Sequence, residues 1–177
     1  MDFDEFPKLN TGRLLLRKLD ISDADEILFL RSDKRVNRYI ERPEDRQTKN
    51  LSDASQFIKN LQIAYDDNQS ISWGITLKND RKIIGTICLW NFSENGKNAE
   101  VGYDLTPELY NKGIMNEALG QIIEFGFKEF ELDRIDAYTH KENTGSIRLL
   151  TKNGFKLNAD RLDQMNPLNE IYEIRRK

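Results

Sequence analysis

The chain has 177 residues, 38% of them hydrophobic and 32% charged, which suits one globular domain with a real core and excludes a disordered chain. A net charge of -3 argues against a dedicated nucleic-acid binder, which carries a basic face, and no apolar run approaches the roughly 20 residues that span a bilayer. The lone cysteine, Cys88, excludes an internal disulfide, and with one histidine the usual zinc clusters are excluded as well. Met1-Asp2-Phe3-Asp4-Glu5-Phe6 is acidic and lacks a signal-peptide pattern. These features read as a soluble cytoplasmic protein with no metal, no membrane contact and no direct nucleic-acid partner, organised as a tail (1–7) and a single domain (8–177).

In chain order, the apolar run Arg13–Leu19 predicts a first strand. Ser22 is a good N-cap for a helix over Asp23–Arg31, with acidic residues in its first turn. Residues 32–47, rich in Arg, Asp and Glu, read as a loop. A second helix is expected from Ser52 to Tyr65, with Phe57, Leu61 and Ala64 on one stripe. Ser70–Leu77, Lys82–Phe92 and Asn98–Leu105 are strand candidates; Asn79-Asp80 and Glu94-Asn95-Gly96 supply the turns of an antiparallel meander. A long helix over 114–130 follows from the period of Met115, Leu119, Ile122, Ile123 and Phe130. Arg134–Thr139 predicts the next strand, and 144–152 a short helix ending at Asn153-Gly154. Phe155–Leu157 and Glu170–Ile174 complete a mixed α/β sheet, not the regular alternation of a dinucleotide-binding fold.

The stretch Tyr110-Asn111-Lys112-Gly113-Ile114-Met115-Asn116 links the strand ending at Leu105 to the long helix. A strand, a glycine-bearing turn and a helix N-terminus can hold a phosphate, because unpaired N–H groups and a partial positive charge meet there. By itself the pattern is weak, since many α/β loops place Lys-Gly before a helix.

The order of elements, with Lys112-Gly113 at the head of the helix after the fourth strand, resembles the GNAT N-acetyltransferase superfamily. Three segments resemble its RimJ/RimL-like branch of ribosomal-protein N-terminal acetyltransferases: Leu9 to Arg17 (LNTGRLLLR), Ala99 to Leu105 (AEVGYDL) and Asn143 to Phe155 (NTGSIRLLTKNGF). The likeness covers roughly residues 8–175. It implies an acyl-CoA N-acyltransferase fold of about seven strands and four helices, with a central cleft splayed by a bulge in the fourth strand.

It also implies acetyl-CoA as co-substrate. Asn111, Lys112, Gly113, Ile114, Met115 and Asn116 would wrap the pyrophosphate with backbone amides. A backbone N–H near Leu105 would polarise the thioester carbonyl, and Asn143 would bond the pantetheine. The family pattern places Gln or Arg first and Gly or Ala last in that loop; this chain has Tyr110 and Met115, so the Met115 side chain must turn into the core. Leu150 stands where the family often has a tyrosine acid; the resemblance to the ribosomal branch implies a serine, here Ser146, as the candidate acid instead. Glu100 is the candidate base, acting through water.

Each of these residues also has a purely structural reading. Asn143 can cap the helix that follows it, Ser146 can be an inert helix residue, Glu100 a solvated strand charge, and Tyr103 packing. Cys88 reads as a buried small hydrophobe, His140 as surface, and Trp73 and Trp90 as core or cleft wall. The resemblance implies a primary amine as acceptor, either a protein N-terminus or a small amine such as a polyamine, an amino acid or an antibiotic. Its side is expected to be lined by 31–65, the 91–98 turn and the 158–169 loop, which mix Arg35, Arg38, Glu41, Arg42, Glu44 and Asp45. A non-catalytic acyl-CoA sensor is the competing reading. A homodimer through an edge strand at Glu170–Ile174 is compatible with the sequence, as is capping of that strand within one chain.

Overall fold

The computed structural model describes residues 5–40 and 42–177. Eight strands among these residues form one sheet: β1 (Leu9–Asn10), β2 (Leu14–Arg17), β3 (Ser70–Leu77), β4 (Gly85–Trp90), β5 (Asn98–Leu105), β6 (Arg134–His140), β7 (Lys156–Leu157) and β8 (Asn169–Arg175). Their spatial order is β1-β2-β3-β4-β5-β6-β8-β7. Four α-helices pack on it: α1 (Ala24–Ser32), α2 (Leu51–Asp66), α3 (Ile114–Lys128) and α4 (Thr144–Lys152). The expected mixed α/β sheet is present, with one strand more than the seven anticipated. The addition is β1, two residues that pair with Leu15 and Leu16 and are too short to carry a pattern.

The β3-to-β5 run is the antiparallel meander read from the turns, and β2 joins it antiparallel to β3. Asn79 and Gly96 take the positive φ values that those turns require, 68° and 67°. A parallel step joins β5 to β6, and only at Asn98, Ala99 and Glu100, opposite Arg134, Ile135 and Asp136. Beyond Glu100 the two strands part, which makes the expected splayed cleft. The bulge is not where the resemblance put it. Residues Glu100 to Leu105 pair with β4 without a skipped position. Instead Ile84 N–H donates to Ile75 O at 2.9 Å, although Gly85 is Ile75's partner in register. Two residues of β4 thus address one of β3, the mark of a bulge at the start of β4.

Each face of the sheet has its own core. On one, Leu14, Leu16, Trp73, Ile75, Ile87, Leu89, Val101 and Leu105 meet Met115, Leu119 and Ile122 of α3. On the other, Leu19, Ile83 and Val36 meet Ile27 and Leu30 of α1 and Ala54 and Ile58 of α2. The apolar stripe of α2 is therefore centred on Ala54 and Ile58, with Phe57 and Leu61 at its flank. Phe130 lies past the end of α3 and packs edge-on against Phe92 and Phe125.

Helix α1 does not start at a Ser22 cap. Asp20 accepts from Ser22 N–H at 2.9 Å, and the Asp23 carboxylate takes Asp20 N–H at 2.8 Å, closing a reciprocal box around a 3-10 turn at Ile21–Asp23. Arg17 holds Asp23 from behind at 2.7 Å. The first strand is shorter than Arg13–Leu19 because Arg13 turns to α3 and Leu19 drops into the second core. Helix α4 matches its expected limits, with Gly154 at φ 87° just past the end. Strand β8 is not an edge: β6 pairs along its whole length and β7 covers its other side at Tyr172 and Glu173.

Gly85 is the tight point of the meander. A Cβ there would collide with the backbone oxygen of Asp104. Gly85→Ala should destabilise the fold by about 1–3 kcal/mol through overpacking. Urea unfolding that leaves the midpoint unchanged would show that β5 is free to give way.

Candidate active site

A 3-10 turn at Pro107–Leu109 carries the chain off β5, and two left-handed residues, Asn111 (φ 59°) and Gly113 (φ 72°), then turn it into α3. Asparagine and glycine are the residues that tolerate this conformation, so the sequence dictates the turn. No side chain caps the helix; the first intrahelical bond runs from Glu117 N–H to Gly113 O. The amides of Ile114, Met115 and Asn116 therefore head the helix beside the exposed Asn111, Lys112 and Gly113. Met115 is 8% exposed, its side chain in the core as its departure from the family pattern required. Asn116 accepts a hydrogen bond from Asn153 at the end of α4 (3.2 Å).

One device in this loop escaped the sequence. Arg13 donates from Nη1 to Lys112 O (3.0 Å) and from Nη2 to Gly113 O (3.1 Å). Its Nε and backbone N–H both reach the Glu117 carboxylate, at 2.6 and 2.7 Å, and Thr11 Oγ1 donates to the same carboxylate at 2.5 Å. Burial pushes the Glu117 carboxyl up, but the bonds from Thr11 and Arg13 prevail and hold it below the ordinary range. Arg13 lies in a segment that carried the resemblance and Glu117 just past the site loop; their pairing across more than a hundred residues had no local signal.

The cleft opens beside this loop. Thr106 N–H donates to Ile84 O, and the register continues unbroken through Asp104 opposite Thr86, so even-numbered residues of β5 address β4 with their backbone. By alternation Val101, Tyr103 and Leu105 turn their N–H and C=O groups to the open side. This puts the Leu105 N–H in the splay. Across it, Asn143 caps α4, its Oδ1 accepting Ser146 N–H at 3.2 Å; the capping reading of Asn143 is thus realised. The Ser146 hydroxyl lies 2.8 Å from the Tyr103 hydroxyl. Burial pushes the Tyr103 phenol up to about 12 despite that bond. Tyr103, read from sequence as packing, bridges β5 to α4 across the cleft.

Glu100, Gly102 and Asp104 face the other way, toward the side of α1 and α2. Glu100 is half-buried; burial raises its pKa, against a 2.6 Å hydrogen bond from Asn91. It stands near Asp136, which Arg161 of the 158–169 loop binds at 2.7 Å. Asp104, missed in the sequence, lies about 13 Å along the strand from Glu100. Burial raises it too, while Thr86 donates to it from both N and Oγ1 at 2.9 Å. Arg31 and Arg42 lie in its field.

Of the anticipated acceptor-side charges, Arg35 is exposed and bound to Asp33 and Glu108, Arg38, Glu44 and Asp45 are exposed, and Glu41 lies outside the described residues. Cys88 is held by burial at about 12. Trp73 is core; Trp90 is 45% exposed. His140 is not bare surface, since Tyr39 stacks on it at 5.1 Å. No described helix is long and apolar enough to cross a membrane.

Residues 13–156 match the model of the acetyltransferase (GNAT) domain. The chain belongs to the GNAT acetyltransferase family. It is 33% identical over 153 residues to the uncharacterized N-acetyltransferase YoaA of Bacillus subtilis (strain 168), covering 85% of this chain and 84% of that one. Among solved structures it is similar to a ribosomal-protein-S5-alanine acetyltransferase from Vibrio fischeri, with a TM-score of 0.78, 24% identity and 96% of each chain covered. It is also similar to the microcin C7 self-immunity acetyltransferase MccE in complex with acetyl-CoA and AMP, with a TM-score of 0.78, 20% identity and 93% of each chain covered. The chain is thus a GNAT N-acetyltransferase, and it is also 27% identical over 127 residues to the putative ribosomal N-acetyltransferase YdaF of Bacillus subtilis (strain 168).

The Glu117 bonds make a prediction for this GNAT domain. Glu117→Ala should cost about 1.5 kcal/mol, the lower end for hydrogen bonds to a charged group because Arg13 is half exposed. Because the folded carboxyl titrates lower than the unfolded one, this stability is present above about pH 4.3 and fades as pH falls through the folded value. Wild type and variant should converge in acid; a gap that persists at pH 2 would place the effect elsewhere.

Proposed function

We propose that the chain transfers an acetyl group from acetyl-CoA to a primary amine by direct attack in a ternary complex. The observation that carries this reading is the opening of β5 from β6 beside the uncapped N-terminus of α3. Backbone groups of Val101, Tyr103 and Leu105 would receive the pantetheine arm as an added strand. Asn111 through Asn116 would hold the pyrophosphate. MccE, whose fold this chain shares, has been solved with acetyl-CoA, which supports the assignment.

In this reading Glu100 accepts a proton from the ammonium through water, and the free amine nitrogen attacks the thioester carbonyl carbon. The Leu105 N–H faces the oxygen that gains charge, a donor worth roughly 3–4 kcal/mol. As the carbon–sulfur bond breaks, the thiolate takes the Ser146 proton, the Tyr103 phenol replaces it, and the proton that the nitrogen sheds on becoming an amide returns through water to Tyr103. The two proton-transfer groups occupy opposite faces of β5, so base and acid approach the reacting carbon from different sides. Leu150 is fully buried and has no proton to give; Ser146, whose hydroxyl meets Tyr103 of β5, is the α4 hydroxyl that suits the role. Acceptors of two kinds suit the site: a protein N-terminus, as in the ribosomal-protein relatives, or a small amine.

Thermal unfolding with acetyl-CoA, CoA and ATP tests the coenzyme site. Ligand at about 100 times its Kd adds ~2.7 kcal/mol, or roughly 5–10 °C in Tm for a domain of this size. A shift with acetyl-CoA and CoA but not ATP is expected; none at millimolar ligand would end the acetyltransferase reading. Coenzyme binding with no turnover on a broad amine panel would favour the sensor.

Glu100→Gln and Ser146→Ala should each lower kcat by roughly 10²-fold or more. With its pKa raised, the Glu100 carboxyl stays protonated to higher pH than an ordinary one, so kcat/KM should rise with pH through that value. Glu100→Gln should remove this limb. Intact turnover in both variants would reassign the roles.

A further inference from the structure

Five arginines among the described residues are half-buried: Arg17, Arg31, Arg42, Arg134 and Arg161. Arg17, Arg134 and Arg161 are bound to Asp23 or Asp136. Arg31 and Arg42 form no ion pair among the described residues, and both lie within the electrostatic reach of Asp104 on β5. Both are fixed from behind by neutral groups. Arg31 donates from Nε to Thr48 Oγ1 at 2.7 Å and from Nη2 to Arg46 O at 2.9 Å, and its guanidinium lies 3.7 Å over the Phe57 ring. Arg42 donates from Nη1 to Asn37 Oδ1. Asn37 is itself held, its Nδ2 donating to Leu30 O and Asp33 O at 3.0 and 2.8 Å.

The two guanidiniums feel each other and share one carboxylate. Burial, then the charge of Arg42, lowers Arg31 to about 10; burial lowers Arg42. Asp104 is the carboxylate whose field reaches both. Its Oδ1 already accepts two bonds from Thr86. Among the described residues, two held cations face one carboxylate, which leaves a surplus of positive charge in a half-buried place. Such a surplus is costly unless a second anion arrives. Guanidinium forks are suited to a planar carboxylate or to a phosphate. The position is one residue from Leu105, whose N–H faces the cleft.

We propose that the acceptor carries an anionic group, a carboxylate or a phosphate, near its reacting amine, and that Arg31 and Arg42 bind that group. This rests on the acetyltransferase reading and names its substrate class. A polycationic acceptor such as a polyamine is thereby disfavoured. Arg35 and Arg38, exposed and outside this pair, take no part.

The test uses the full chain and three matched amine pairs: phosphoethanolamine with ethanolamine, γ-aminobutyrate with n-butylamine, and Ser-Glu-Ala-amide with Ser-Gln-Ala-amide. Thiol release gives kcat/KM for each, and acetyl-CoA thermal shifts on the same samples report folding and coenzyme binding. Wild type should prefer the anionic member of at least one pair by tenfold or more. Arg42→Gln should cut that ratio at least fivefold, with Arg42→Lys between the two. Pairs that separate by carboxylate or by phosphate identify the source of the charge. Neutral members that match or exceed their partners, a preference that survives Arg42→Gln, or no turnover of any member by coenzyme-bound enzyme would each overturn the inference while leaving the coenzyme site standing. Absence of an acetyl-CoA shift would overturn the enzyme reading and this inference with it.

Discussion

The rest of the structure depends on a ladder that stops early. β5 pairs with β4 from Glu100 to Leu105, and β6 pairs with β8 from Arg134 to His140, but β5 and β6 share three positions only. A buried strand must satisfy its backbone groups, so opening two central strands is expensive unless something else can enter. The sheet meets this demand on one face with side chains. Ala99, Val101 and Leu105 stay in the α3 core while the backbones diverge, and Tyr103 reaches Ser146 over the gap. The opening is therefore held by packing, not by a kink in β5, whose register with β4 is unbroken. The bulge of this sheet lies at Ile84 and Gly85, where Gly85 packs closely under the backbone of Asp104.

The second constraint is electrostatic. A loop that presents amides to an anion must leave them unpaired, and such a loop has little holding it internally. Here the loop is held from outside by its carbonyls, since Arg13 binds the oxygens of Lys112 and Gly113 and leaves the N–H groups alone. Glu117, in the first turn of α3, fixes Arg13 and Thr11 in turn. An acidic residue in the first turn also suits the helix dipole. One carboxylate thus ties the β1–β2 turn, the loop and the helix together while keeping the loop's donor side clear.

Much of this was legible in the sequence for physical reasons. Periodicity placed α3 and α4, because each has one buried face, and turn residues placed the meander. The site loop was legible because Asn111 and Gly113 are residues that accept a left-handed backbone. What could not be read was every long-range pairing of polar groups: Arg13 with Glu117, Tyr103 with Ser146, Thr86 with Asp104. None has a spacing, since the partners meet only when strands register. Ser22 misled because it is as good a cap as Asp20 in isolation, and the carboxylate two residues earlier won by forming a reciprocal box. The edge position of Glu170–Ile174 could not be decided because a strand as short as Phe155–Leu157, though expected, does not say which neighbour it pairs with. The arginine-rich loop gave composition without direction: nothing in 31–46 separates Arg42, turned inward onto Asn37, from Arg38, turned outward over Tyr39.

These pieces divide the labour between the two faces of β5. Odd-numbered residues serve the α3 face, where Tyr103 and Ser146 make a neutral, protonated pair whose phenol burial keeps from ionising. Even-numbered residues serve the other face, where Glu100 and Asp104 are carboxylates raised by burial. Between the faces lies a strip of backbone, with no side chain in the plane of the splay. A group lying there meets donors of one kind on one side and carboxylates on the other, and strand alternation alone enforces that separation. A single-residue slip of β5 against β4 would exchange the faces and bring Glu100 into the α3 core. The register pinned by Gly85 under Asp104 is for that reason as much a part of the site as the residues that line it.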